Sequence, residues 1–339
     1  MLSSRLASLG DLNLFIFNSD LKLFIKHILL FLSILALLHI GLAFLADGTT
    51  DDYYLKFSSP KQSSLILGTS RAKQGIIPSV LSSSIENSNF SFFNFSFTLK
   101  SSPFGLVYFN AIKQKIDLDS QDGCFIITVD PWSISEKISD VNRTPDSLSV
   151  LFGMSDFTSK PNFKYLFKQF PHGWGRILLN RIEKPILKYN SGQLNSSMTG
   201  SFSVLNDDGW LDVYTSLDSG FVKRKEAERF EMYRNKSNNR TGSESRIEYL
   251  DTIIEFLSNH GDVYVVRLPV HKKMLSIEQQ YMPDFKEKIS KALLKSKGYL
   301  DFSTLDNEYS YTDGNHLTKT SAGEVTQDIG VWVSGLADE

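Results

Sequence analysis

The pattern of apolar and polar positions divides the chain into one long apolar run and a series of short ones. Residues 28–46 are apolar except for Ser33 and His39, and Phe24 and Ile25 extend the run to the ~20 residues that cross a bilayer as a helix. The pattern predicts a transmembrane anchor over 24–46, preceded by an N-terminal segment of 1–23 and followed by a linker of 47–62. Residues 63–67 then form a short apolar run closed by Gly68, as a buried strand does where it meets a turn. Similar runs recur at 90–97, 123–129, 263–268 and 299–302. Helical spacing lies between them: Val80, Leu81 and Ile85 behind Pro78; Leu106, Phe109 and Ile112; Ile247, Leu250, Ile254 and Leu257; a stretch over 283–297; and Ala322, Val325, Ile329 and Trp332. Strands alternating with helices predict an α/β domain over 63–335, with about five strands in a three-layer, doubly wound parallel sheet whose ligands bind beyond the strands' carboxyl ends. The alternation lapses over 132–243, which reads as a large insertion with loop-rich stretches at 190–201 and 236–243.

Charge orients the anchor. Arg5, Lys22 and Lys26 precede the apolar run and Asp47, Asp51 and Asp52 follow it, so the positive-inside bias places the N-terminus in the cytoplasm and the main domain outside. Gly41-Leu42-Ala43 leaves a cleaved signal peptide as the alternative. A formal net charge of -2 lacks the clustered basic excess of a nucleic-acid binder. Cys124 is the single cysteine, which excludes an internal disulfide and a cysteine-rich metal site.

Two segments carry candidate chemistry. Gly68-Thr69-Ser70-Arg71 follows the first strand, where a tight strand-to-helix turn presents a serine hydroxyl at the sheet edge. Asp313-Gly314-Asn315-His316 precedes the last helix, so His316 emerges at the same edge as Ser70. There His316 is placed to take the serine proton while Asp313 holds the other ring nitrogen. Each segment alone also reads as ordinary turn and cap chemistry.

Together they are in the order and placement of the SGNH (GDSL-like) hydrolases. GTSR resembles that family's first block and DGNHLTKTSAG its last. Asn94-Phe95-Ser96 resembles the second block, with Ser96 where glycine is usual, and Asp130-Pro131-Trp132 stands where the third block supplies an asparagine. The N-terminal anchor, the Asp-Pro after a strand and Leu268-Pro269-Val270-His271 resemble the branch found with bacterial polysaccharide O-acylation systems, which includes D-alanyl transfer and alginate O-acetylation proteins. The resemblance implies a serine-dependent O-acyltransferase or acyl esterase on an exported polysaccharide or other acylated substrate. Its catalytic residues would be Ser70, Asp313 and His316, with the N–H groups of Ser70 and Ser96 at the oxyanion. It implies no metal or organic cofactor, and it makes a membrane-bound acyltransferase a candidate partner alongside the lipid bilayer.

Several residues stay open between two roles. A carboxylate at Asp130 repels an oxyanion and cannot inherit the asparagine's role. Arg71 is suited to binding a substrate carboxylate or phosphate, and equally to pairing with Asp130. His271 either faces the cleft or caps a helix, and Trp174 and Trp210 either stack on sugars or form the insertion's own core. The alternative function is a non-catalytic protein of the same fold that binds glycan or scaffolds a membrane polysaccharide-modification complex.

Overall fold

The computed structural model describes residues 3–45, 56, 57, 59–86, 89–100, 104–140, 201–304 and 308–337, together with 178, 179, 182 and 186. The chain opens with a helix, α1, over Ser3–Leu45. Within it Asp20–Leu42, 23 residues, is long and apolar enough to cross a membrane. The N-terminal segment expected apart from the anchor continues the same helix, and no proline interrupts it.

The domain that follows is mixed α/β. In chain order come β1 (Ser64–Leu67), α2 (Ser70–Gly75), α3 (Pro78–Ser84), β2 (Phe92–Asn94), α4 (Leu106–Lys115), β3 (Gly123–Thr128) and β4 (Ser135–Lys137). Next are β5 (Phe202–Leu205), β6 (Leu211–Tyr214), α5 (Ser219–Ser237), β7 (Arg240–Gly242) and α6 (Glu244–Ser258). Then come β8 (Gly261–Arg267), α7 (Lys272–Tyr281), α8 (Phe285–Leu293), β9 (Gly298–Asp301) and α9 (Lys319–Ala337).

Five strands form one parallel sheet in the order β2-β1-β3-β8-β9. Strands β1, β2 and β3 are buried throughout, which is why they read as continuous apolar runs rather than alternating ones. Helices cover both faces. Leu65, Leu67, Phe125 and Ile127 point to a core shared with Val107, Ile112, Leu250, Ile254 and Ile289 of α4, α6 and α8. Ile66, Cys124, Ile126 and Val266 point the other way, toward Ala72, Leu81, Val325 and Ile329 of α2, α3 and α9. The strand order reverses at β1, whose neighbours are β2 and β3. That reversal opens a crevice beyond the carboxyl ends of β1 and β3.

Three readings of the sequence change here. The described part of the insertion is more regular than expected, because α5 is a 19-residue helix that buries only Phe230 and Tyr233. Its charged, helix-favouring residues leave no apolar stripe to betray it. The helix expected over 283–297 is the shorter α8, Phe285–Leu293, and an unexpected helix, α7 at Lys272–Tyr281, precedes it, with Met282 leaving helical backbone at φ -141° and ψ 75° ahead of Pro283. On α4 the inward face is Val107, Tyr108, Ala111 and Ile112, while Leu106 is exposed.

Candidate active site

Backbone turns at two glycines assemble the site. Gly68 ends β1 with φ +146°, and a Cβ there would lie 1.9 Å from Thr128 Oγ1 on β3. Only glycine fits so close an approach at that φ. Ser70 therefore starts α2 just beyond the carboxyl edge of the sheet. Before α9, Gly314 takes φ +76°, and a Cβ there would meet the Phe230 ring at 2.6 Å. Asp313 Oδ1 accepts the backbone N–H groups of Asn315 at 3.0 Å and His316 at 2.9 Å. The carboxylate thus folds its own turn, as Asp does where a chain bends.

This fold of the turn aligns three side chains. His316 Nδ1 lies 3.0 Å from Asp313 Oδ2 and 3.1 Å from Oδ1, and His316 Nε2 lies 3.0 Å from Ser70 Oγ. A carboxylate only accepts, so the ring proton sits on Nδ1 and the Nε2 lone pair faces the hydroxyl. Asp313 and His316 are buried and Ser70 is half-buried. Arg229, reaching across from α5, places Nη2 2.5 Å from Asp313 Oδ2. Burial opposes the charge on Asp313, yet His316, Arg229 and the turn N–H groups outweigh it and hold the carboxyl well below its usual range.

Beside this row lies a buried charge network. Arg71 donates from Nη2 to Glu278 Oε1 at 2.6 Å, and from Nε and Nη2 to Asn315 Oδ1 at 3.1 and 2.7 Å. Its Nη1 faces Asp130 Oδ2 at 3.6 Å. Glu278, fully buried on α7, also accepts from Trp132 Nε1 at 2.8 Å and Arg267 Nη2 at 3.1 Å. Arg267 in turn faces Asp301 at 3.8 Å. Burial disfavours the charge on Arg71, but Glu278 and Asp130 more than offset it and raise its pKa. Burial raises the pKa of Asp130 despite Arg71.

The expected site residues separate accordingly. Ser70, Asp313 and His316 come together. Arg71 is 5% exposed, its Nε and Nη2 donate to Asn315 and Glu278, and its buried Nη1 has no hydrogen-bond partner and only faces Asp130, so it positions protein groups and is shielded from a substrate anion. Asp130 pairs with it, and its Oδ1 accepts the N–H groups of Trp132 and Ser133. The Ser96 N–H, expected at the oxyanion, is occupied by Asn94 Oδ1 at 3.1 Å, and Ser96 Oγ donates to Ile66 O. Asn94 Nδ2 donates to the carbonyls of Ala72 and Ile76. Both residues are fully buried and hold the turn after β2 in place instead of facing a substrate. His271 caps α7, its Nδ1 accepting the Lys273 N–H, with its ring against Phe230 and Tyr311.

Trp210 is buried with Nε1 donating to Gln74 O, which makes it a core residue; Trp174 lies outside the described residues. A cavity of about 650 Å³ at the ends of β8 and β9 is lined by His271, Phe302, Tyr309 and Tyr311. Another of about 600 Å³ lies among Arg234, Arg240 and Tyr281. Neither includes Ser70 or His316, so chemistry rather than volume marks the site. Among the described residues no cluster of three His, Cys, Asp or Glu side chains is suited to a metal ion.

Sequence reasoning did not assign roles to Asn315, Arg229, Glu278 or Trp132. Asn315 lay inside a motif already singled out, whereas the other three are brought in by tertiary packing alone. No protein-family model matches the sequence, and no curated protein matches it. The functional reading therefore rests on this geometry.

Proposed function

We propose that the chain is a serine-dependent O-acyltransferase or acyl esterase of the SGNH kind, acting through an acyl-enzyme on Ser70. The observation that carries this reading is the unbroken row from Ser70 Oγ through His316 to Asp313, with 3.0 Å at each link. In that row His316 Nε2 takes the proton as Ser70 Oγ attacks the ester carbonyl, and the carbonyl electron pair moves to oxygen. The imidazolium is stabilised by Asp313, and its Nε2–H then protonates the departing alkoxide as the C–O bond breaks. Water or a sugar hydroxyl, deprotonated by the same imidazole, resolves the acyl-enzyme. This chemistry needs no metal or organic cofactor.

The strand order and the helices on both faces support the three-layer doubly wound arrangement. The apolar run 28–46, with Arg5, Lys22 and Lys26 before it and aspartates after it, supports an N-terminus in the cytoplasm and a periplasmic or cell-surface domain. An exported polysaccharide as substrate and a membrane-bound acyltransferase as partner follow from the likeness of the N-terminal anchor, GTSR, the Asp130-Pro131 after a strand and Leu268-Pro269-Val270-His271 to polysaccharide O-acylation proteins. The occupied N–H of Ser96 favours a second reading, a non-catalytic protein that binds glycan or scaffolds such a complex.

Labelling of the full-length chain in detergent with a fluorophosphonate separates the two. The enzyme reading expects one adduct, mapped to Ser70, and its absence in Ser70→Ala. That variant should also lose about 10⁴-fold or more in ester turnover while keeping the parent's melting temperature. An unlabelled parent, or glycan modification persisting in a Ser70→Ala strain, would leave the scaffolding role.

A further inference from the structure

An acyl-transfer site needs donors for the oxyanion, and the one expected from Ser96 is occupied. We propose that the Asn315 side-chain amide supplies that donor, handed over from the His316 ring to the substrate oxygen as the tetrahedral intermediate forms. The inference rests on the acyl-enzyme reading.

The orientation of the amide is fixed by chemistry. Arg71 presents only N–H donors, and its Nε and Nη2 lie 3.1 and 2.7 Å from one atom of the Asn315 amide. That atom must be the oxygen, because a guanidinium accepts nothing. The NH₂ end is therefore turned to the opposite side, where it lies 3.2 Å from His316 Nε2. The same Nε2 faces Ser70 Oγ at 3.0 Å. An amide donor thus stands at the atom that will take the serine proton, the same atom that the attacking oxygen faces. Asn315 is 2% exposed, so water does not compete for its N–H groups, and a dry donor of fixed direction stabilises developing charge most strongly.

The resting hydrogen bond itself provides the hand-over. In the ground state the Nε2 lone pair accepts from both Ser70 and Asn315. Once Nε2 has taken the Ser70 proton it becomes a donor, and it can no longer accept the amide N–H. At that moment the carbonyl oxygen of the substrate, bonded to a carbon on Ser70 Oγ, carries the negative charge. The released N–H, still held in place by Arg71, is then free to donate to that oxygen, and it donates to Nε2 again when the imidazolium gives its proton to the leaving alkoxide. Arg71 holds the amide through both states, itself held by Glu278 at 2.6 Å. The buried arginine network thus serves to aim one amide.

The test uses the full-length chain in detergent, with p-nitrophenyl acetate as substrate and an aryl trifluoromethyl ketone as a mimic that forms a tetrahedral oxyanion on the serine. Asn315→Ala should lower kcat by about 10²–10³-fold with KM within about threefold. Affinity for the ketone should fall by the same factor, because the donor acts only on the charged intermediate. Asn315→Asp, which keeps Arg71 paired should the alanine variant misfold, should lose at least as much, since its carboxylate repels the oxyanion. A kcat within fivefold of the parent in a folded variant, or a loss confined to KM, would overturn the role of Asn315 while labelled Ser70 still upheld the acyl-enzyme. A parent that neither labels nor turns over ester overturns both.

Discussion

The two edges of the sheet bury charge in different ways. At the carboxyl edge, Arg71 and Arg267 are set against Asp130, Glu278 and Asp301, and Arg229 and His316 against Asp313. Each buried charge there has an opposite charge within reach, and the network fixes side-chain directions. At the amino edge, Lys115 closes α4 beneath β1 and is 3% exposed. Among the described residues no carboxylate pairs with it. It donates instead to Ser59 O at 2.9 Å and to Ser59 Oγ, and lies 4.4 Å from the centre of the Phe93 ring. A paired network can aim a donor at a reacting atom, whereas a lone buried cation chiefly carries a desolvation cost.

The sharpest way to break this contrast is at Glu278, which accepts from Arg71, Arg267 and Trp132 with no exposure to solvent. Glu278→Gln keeps the shape but removes the charge and turns an NH₂ toward donors. It should destabilise the domain by about 3–5 kcal/mol, the scale for a buried pair that loses one partner. Urea unfolding of the detergent-solubilised chain measures it, and a loss below ~1 kcal/mol would show that water satisfies the arginines.

How much of this was legible follows from the range of each interaction. The five strands were readable because their apolar runs are local and buried on both faces, as in 123–128. Ser70 and the turn at 313–316 were readable as lying at one edge because each follows or precedes a sheet element, and both Gly68 and Gly314 announce a turn. The occupant of the Ser96 N–H was not readable, since an asparagine two residues earlier either folds back or points out according to packing. Arg229 was hidden in a helix with no apolar stripe. Glu278 looked like any surface glutamate, and its burial depends on two arginines more than ten positions away in the chain.

Arg229 tests how far the carboxyl edge depends on the insertion, since α5 supplies it to Asp313 Oδ2. The Asp313 carboxyl is held below its unfolded value, so its contribution is present above that value and is lost as pH falls through the folded one. Arg229→Gln should raise the folded pKa toward the ordinary range and shrink that contribution. The expected loss is about 1 kcal/mol at pH 7, narrowing as pH falls toward 3, where the variant's Asp313 takes up a proton that the parent's, held lower, does not. Stability curves for parent and variant that coincide between pH 3 and 7 would show that His316 and the turn N–H groups suffice.

The amino edge gives an effect no larger than this one, of opposite sign and with the opposite pH dependence. Burial pulls the Lys115 ammonium from 10.5 down to about 7. Between those two values the unfolded chain holds a proton that the folded chain has released, so stability should rise with pH across that window. Lys115→Met removes the titration and keeps the apolar stem against Phe93, at the loss of the bonds to Ser59. Those bonds are worth about 1 kcal/mol each, against a larger desolvation cost for the ammonium. The variant should therefore gain about 1 kcal/mol at pH 7 and show a flatter curve from pH 7 to 10. Thermal melting at three pH values across that range measures both. A variant less stable than the parent at every pH would mean that the Ser59 bonds and the Phe93 ring satisfy the cation as fully as carboxylates satisfy Arg71, and the contrast between the two edges would vanish.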